Sequence, residues 1–243
     1  MNTSRVQSRQ LIWDLPVRVL HAAFAGGLAV ALLLGFAVEE EHPLFAWHVL
    51  AGMFAGGALV LRVLWGLVGP GQARFTRWPL APAALRRQLA GLWPGRPPKV
   101  HAGHNPLAAW VMLGMLAVAG AVIATGFASG DDLHEGLAAV LTGAIGLHLA
   151  GLVLHRLRAG ENLAPAMLDG RKIAPPAAAL ARPYALAGLT TMLLLGLWAG
   201  VLVRAYDPQA GAIRLPFGLP AVDLRHGGDG DHAAGRHHDD DED

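Results

Sequence analysis

Four histidines interrupt apolar stretches of this chain: His21, His48, His134 and His148. Ionisable side chains are expensive in hydrocarbon and mark a functional site by default. A neutral imidazole is an axial ligand for haem iron. Iron held by imidazole on both faces has no open position, which favours electron transfer over oxygen activation. Two imidazole pairs at different depths would hold two b-type haems and give electrons a path across a bilayer. A single histidine in an apolar helix is more often a packed, hydrogen-bonded side chain, so the case rests on the depths.

The depths follow from the helices that must carry these residues. A spanning helix needs ~20 mostly apolar residues. Five stretches qualify, at about Leu15–Val38, Leu44–Val68, Pro106–Ala128, Leu133–Leu157 and Tyr184–Val203. His21 lies five residues after Pro16, so it sits ~8 Å into the first helix at 1.5 Å per residue. The second helix runs back, placing His48 roughly 6 Å below the opposite surface. Across a hydrocarbon core of ~30 Å the two levels are then roughly 16–21 Å apart. The fourth helix gives an independent measure. His134 and His148 are 14 residues apart, or ~21 Å along the axis and nearly four whole turns. The pairs are therefore His48 with His134 near one face and His21 with His148 near the other.

His155 rivals His148 for the inner role, since it lies seven residues further along nearly the same face. Choosing it stretches the separation to ~32 Å, the whole membrane thickness. His148 is the preferred ligand, and His155 is expected to snorkel or to meet a haem propionate. Arg18 and Arg62 are candidates to neutralise propionates. Arg62 stands 14 residues after His48, level with the inner histidines. Snorkelling to the interface is its competing role. A proton relay or metal transporter would add intramembrane carboxylates. Here Glu135 is the only acid within the first four helices.

Composition agrees with a membrane protein. Hydrophobic residues make up 53% of the 243, charged residues 15%, and mean hydropathy is +0.40. The chain has no cysteine, which excludes iron–sulfur ligation, covalent haem attachment and disulfides. The N-terminal apolar run is too long for a signal peptide and reads as a retained first helix. The net charge of +1 hides an asymmetry: Val68–Asn105 carries six basic residues and no acid, whereas Glu39–Glu41 and Asp131–Asp132 carry five acids and no base. Basic loops stay in the cytoplasm. The N-terminus is then cytoplasmic and the C-terminus periplasmic, with the chain multi-pass in a bacterial inner membrane.

The expected fold is an all-α membrane protein, a four-helix haem-binding bundle with a fifth transmembrane helix. Residues 1–172 form the diheme bundle, 173–206 a proline-containing linker and accessory helix, and 207–243 a periplasmic low-complexity tail. Within the long second connection, Pro82–Trp93 has leucines on one side and Arg86 and Arg87 near the other. That pattern fits an interfacial helix on the cytoplasmic surface, or simply a basic loop. Gly26, Gly27, Gly56 and Gly57 permit close helix contacts, including those of a homodimer.

The segments WDLPVRVLHAAF, WHVLAG, RVLWGLVGP, GHNPLAA and LHEGLAAVLTGAIGLHLAGLVLHRLRAGENLAPAMLDGRK resemble the bacterial cytochrome b561 family, which includes the cytochrome b subunits of nickel–iron hydrogenases. The resemblance covers roughly Trp13 to Lys172. It implies a four-helix core, two haems b and exchange with the quinone pool, and its ligand positions fall on His21, His48, His134 and His148. The family's usual Trp after the first-helix histidine is Ala22 here.

The favoured activity is electron transfer between quinone and a periplasmic redox protein such as a c-type cytochrome, whose basic face would suit the acidic outer loops. Whether this makes the protein a quinone-linked oxidoreductase stays open. A superoxide:ubiquinone oxidoreductase is the runner-up, because an anionic substrate prefers a positive funnel. A third reading has His226, His232, His237, His238 and the terminal acids handling metal. Lipid surrounds the bundle and no nucleic-acid partner is expected. For the quinone, His104, Asn105 and the Arg158–Asn162 segment are candidates by position alone.

Overall fold

The computed structural model describes residues 8–91, 101, 103–127, 131–214 and 222–223. Among these, five helices are long and apolar enough to cross a membrane: α1 (Leu15–Ala37), α2 (Phe45–Val68), α4 (Pro106–Thr125), α5 (Asp131–Ala159) and α7 (Ala185–Ala205). They stand where expected, with shifted ends. Asp131 and Asp132, expected in a loop, open α5, and that helix runs on to Ala159. α4 stops at Thr125, with Gly126 capping it; Ala128 lies outside the described residues.

Local chemistry sets two of the helix starts. Asp14 caps α1 through a carboxylate oxygen that accepts from Val17 N at 2.8 Å, and Pro16 occupies the first turn. Asn105 caps α4 in the same way, accepting from Ala108 N at 2.8 Å before Pro106. A proline is tolerated there because its missing N–H would be unpaired anyway.

The spans form two antiparallel hairpins, α1 with α2 and α4 with α5, joined mainly where α2 meets α4. Small residues let α1 and α2 approach. Ala55 and Ala58 are fully buried, and a Cβ on Gly27 would meet Ala51 O at 3.2 Å. α7 lies against α1 and α2, away from the second hairpin. Gly57 admits the Trp198 ring, whose Nε1 donates to Met53 O at 3.0 Å.

At the end where α1 and α4 begin, the inner end of the expected orientation, the connecting segments form a cap. Strand β1 (Arg9–Leu11) pairs antiparallel with β2 (Arg171–Ile173), so the expected boundary at residue 172 falls within a strand. A four-residue helix, α6 (Ala166–Asp169), precedes β2. Arg9 bridges Asp169 at 2.9 Å. Backbone and charge contacts from Arg171 and Arg9 hold the Asp169 carboxyl below its usual range. Ile12, Trp13, Val17, Ala73, Ala166 and Ala174 fill the cap's apolar core. The surface helix expected at Pro82–Trp93 is α3, Pro82–Ala90; Leu92 and Trp93 lie outside the described residues.

Beyond α7 the chain forms a small sheet, β3 (Tyr206–Asp207), β4 (Ala212–Ile213) and β5 (Val222–Asp223), in that order. The first part of the expected low-complexity tail is therefore structured, and Ile213 is fully buried beside Leu50, Met53 and Leu202. His226, His232, His237 and His238 lie outside the described residues.

Candidate functional site

The histidines occupy a ladder with a step of seven residues, or ~10.5 Å. On α1 the ladder reads His21, Leu28, Gly35; on α2, His48, Ala55, Arg62; on α5, His134, Leu141, His148. Because α2 runs against α1, these residues align as three layers. Contacts support the outer and middle layers, and electrostatic coupling the inner one.

In the outer layer the ring centres of His48 and His134 are 6.1 Å apart and nearly perpendicular, at 81°. Each ring is oriented by a carbonyl on a neighbouring helix. His48 Nδ1 lies 2.7 Å from Ala31 O of α1, and His134 Nδ1 lies 3.0 Å from Val122 O of α4. Nδ1–H donation to a carbonyl fixes the tautomer and leaves Nε2 for a metal. Phe45 stacks on His48 at 4.9 Å. Gly35 makes room for that ring: a Cβ there would meet His48 Cε1 and Nδ1 at 2.8 Å. Gly126 does so less tightly for His134, at 3.3 Å.

The middle layer is apolar. Leu28, Ala55 and Leu141 belong to one core cluster, with Ala55 and Leu141 fully buried.

In the inner layer His148 and Arg62 lie within electrostatic reach of His21. The Arg62 guanidinium lies over the rings of Phe75 (4.9 Å) and Trp78 (5.7 Å), and its Nη1 is buried with no hydrogen-bond partner among the described residues. Asp14 faces Arg62 electrostatically. It is almost wholly buried and accepts from Trp65 Nε1 at 3.1 Å. Burial pushes its carboxyl above the usual range despite those bonds. Lys172, also buried, donates to the carbonyls of His101 and Gly103 at 3.1 and 3.0 Å and so pins the loop before α4. Burial lowers its ammonium below the usual lysine range.

The remaining sequence candidates are placed elsewhere in the cap. Arg18 Nε reaches Met167 O at 3.5 Å. His155 Nε2 faces Glu161 Oε2 at 3.5 Å, outside hydrogen-bonding geometry. Asn105 serves as the α4 cap. Sequence reasoning missed Gly35, Gly126 and the role of Asp14. Gly35 carried a signal, since it stands 14 residues after His21, the interval that links His134 to His148.

Two imidazoles on one metal through Nε2, at ~2.0–2.1 Å per bond with each ring centre ~1.1 Å behind its nitrogen, have centres about 6.3 Å apart. The outer pair matches that span. The comparison with protein families decides which cofactor is meant: a model of the prokaryotic cytochrome b561 family matches residues 12–170.

The chain belongs to the prokaryotic cytochrome b561 family. It is thus a multi-pass membrane cytochrome of the b type, a carrier of electrons that binds haem b. No curated protein and no solved structure matches the chain. The family match ends at residue 170, so β2, α7 and the terminal sheet of this cytochrome lie beyond it. The residues present fit haem b: an imidazole pair for iron, small residues beside it and a buried guanidinium, unpartnered among the described residues, for a carboxylate.

Proposed function

We propose that this cytochrome is a diheme conduit across the bacterial inner membrane, N-terminus inside, passing electrons between the quinone pool and a periplasmic redox protein. His48 and His134 hold the outer haem b, and His21 and His148 the inner one. The observation that carries the reading is the outer pair: two rings at metal-bridging separation, each with Nδ1 committed to a carbonyl of a neighbouring helix.

Bound haem supplies reversible one-electron transfer. The chain's own residues do the rest. The four imidazoles hold iron without an open position. Leu28, Ala55 and Leu141 keep water from the space between the layers. Arg62 places a charge where an inner propionate needs one, and its orphaned Nη1 supports that role over snorkelling. Glu39, Glu40, Glu41 and Asp132 give the outer face a negative rim, which suits a basic soluble donor or acceptor.

A reduced-minus-oxidised spectrum with haem quantification tests this on the purified protein, on His148→Ala and on His155→Ala. Two haems per chain, one of them lost only in His148→Ala, are expected. No haem, or loss in His155→Ala instead, would overturn the assignment. Anaerobic addition of a short-chain ubiquinol should reduce the haems; failure to do so removes quinone from the reading.

A further inference from the structure

The conduit leaves unused a ring that shares the Trp78 indole with Arg62. His104 precedes α4, and its imidazole is clamped between Trp13 (centres 4.8 Å apart) and Trp78 (4.7 Å). The clamp brings together three distant segments, and Trp78 is itself tied by Nε1 to Gln72 O at 3.2 Å. Lys172 fixes the carbonyl of Gly103, the residue before His104. The ring therefore has little freedom to turn. Its Nδ1 is sealed from solvent and has no hydrogen-bond partner among the described residues, as is true of Arg62 Nη1.

Two orphaned buried nitrogens, on side chains that share Trp78 as a ring neighbour, need an explanation, because buried polar groups are nearly always satisfied. A buried guanidinium N–H favours an anionic acceptor, which gives a charge-assisted bond. The neighbouring carboxylates are engaged. Asp14 accepts from Val17 N and Trp65 Nε1, and Glu161 accepts from Ile173 N while facing His155. The two nitrogens also lie at the inner layer: Arg62 and His148 both act on His104, and Arg62 and His148 both act on His21.

We infer that Arg62 Nη1 and His104 Nδ1–H form a two-donor clamp on a propionate carboxylate of the inner haem. This rests on the reading that His21 and His148 hold a haem there. Burial drives the His104 imidazole down to about 3, with Arg62, Lys172 and His148 adding to the effect. Before a carboxylate arrives the ring is therefore neutral at physiological pH, so it brings a donor and no charge of its own. A hydrogen bond that spreads the carboxylate's charge weakens its field at the iron and so raises the reduction potential.

The test uses the holoprotein, with His104→Phe to keep the aromatic clamp without the donor and His104→Gln to keep a donor. Three quantities are read: haems per chain, the midpoint potential of each haem, and the propionate bending band in resonance Raman spectra. His104→Phe should retain two haems, lower the inner potential only and shift the propionate band. His104→Gln should restore part of both changes. Two haems with an unmoved inner potential and band in His104→Phe overturn the clamp while leaving the conduit intact, and point to water on Nδ1. Fewer than two haems in the unsubstituted protein overturn the conduit itself. If both variants lose the inner haem, the unsubstituted protein still decides. A propionate band unaffected by deuterium exchange refutes the hydrogen bond.

Discussion

Gly35→Ala isolates the outer pair without touching either histidine. The new Cβ would stand 2.8 Å from His48 Cε1 and Nδ1. Relief to an ordinary contact near 3.4 Å requires a shift of ~0.6 Å, whereas metal–ligand distances tolerate only about ±0.2 Å. The ring cannot simply swing away, because Nδ1 is bound to Ala31 O at 2.7 Å and Phe45 stacks on it at 4.9 Å. Overpacking of this kind typically costs about 1–3 kcal/mol. Ala for Gly within a helix returns up to ~1 kcal/mol. The fold is thus destabilised by about 0–3 kcal/mol and survives. The ligand is disturbed more, and loss of a metal-site support typically weakens binding about 10–100-fold. Haem per chain and the low-spin electron paramagnetic resonance signals of the two haems give the readout. Gly143→Ala is the control, since a Cβ there meets nothing within 4 Å. The outer haem should be partly lost or spectrally shifted in Gly35→Ala and unchanged in the control. Retention of both haems with an unaltered outer signal would refute the packing argument and the placement of His48 as a ligand.

Two further perturbations test the packing around the site. In Gly57→Ala the Cβ would lie 2.5 Å from the Trp198 ring, so the indole must leave its bond to Met53 O. α7 should loosen by about 1–3 kcal/mol with both haems kept, visible as a lower melting point and as weaker cross-linking between cysteines engineered into α2 and α7 of this cysteine-free chain. In the haem-free protein, where no propionate meets its Nδ1, acid should destabilise the fold through His104, whose folded value of about 3 lies below its ordinary 6.5. Between those values the unfolded chain binds a proton that the folded one refuses, so stability falls as pH drops below 6.5. At 1.36 kcal/mol per unit the loss is about 2 kcal/mol at pH 5. Melting points of the haem-free proteins at pH 7 and pH 5 should differ less in His104→Phe than in the unsubstituted chain; equal differences would refute the assignment.

What the sequence made legible was whatever repeats along a helix. The five spans, the opposed depths of His21 and His48, and the interval from His134 to His148 follow from hydrophobic length and rise per residue. Pro16 and Pro106 marked helix starts for the same local reason. The inner cap was not legible, because its contacts join residues far apart in the chain. Arg9–Leu11 pairs with Arg171–Ile173, and His104 lies between Trp13 and Trp78. No periodicity encodes such meetings. The sheet after α7 was a different kind of miss, since its turn has local signals. Asp207 accepts from the amides of Gln209 and Ala210 at 3.0 Å, and Gly211 takes a positive φ of 61°. A low-complexity tail further on hid a short hairpin before it.

The seven-residue ladder also predicts that the helices carrying it, α1, α2 and α5, cross at an angle. An ideal helix drifts ~20° per seven residues, so His134 and His148 point ~40° apart on a straight axis. Helices that pack on a seven-residue seam wind gently around one another, and that winding keeps Leu141 and both histidines of α5 on a common side. One residue inserted between them would rotate the second by ~100° and break a layer. The outer layer takes its remaining orientation from carbonyls of α1 and α4 within the membrane. The inner layer depends instead on Asp14, Trp65 and the extramembrane cap around Arg62. Damage to the cap should therefore reach the inner layer while the outer one, built wholly from helices, stays in place.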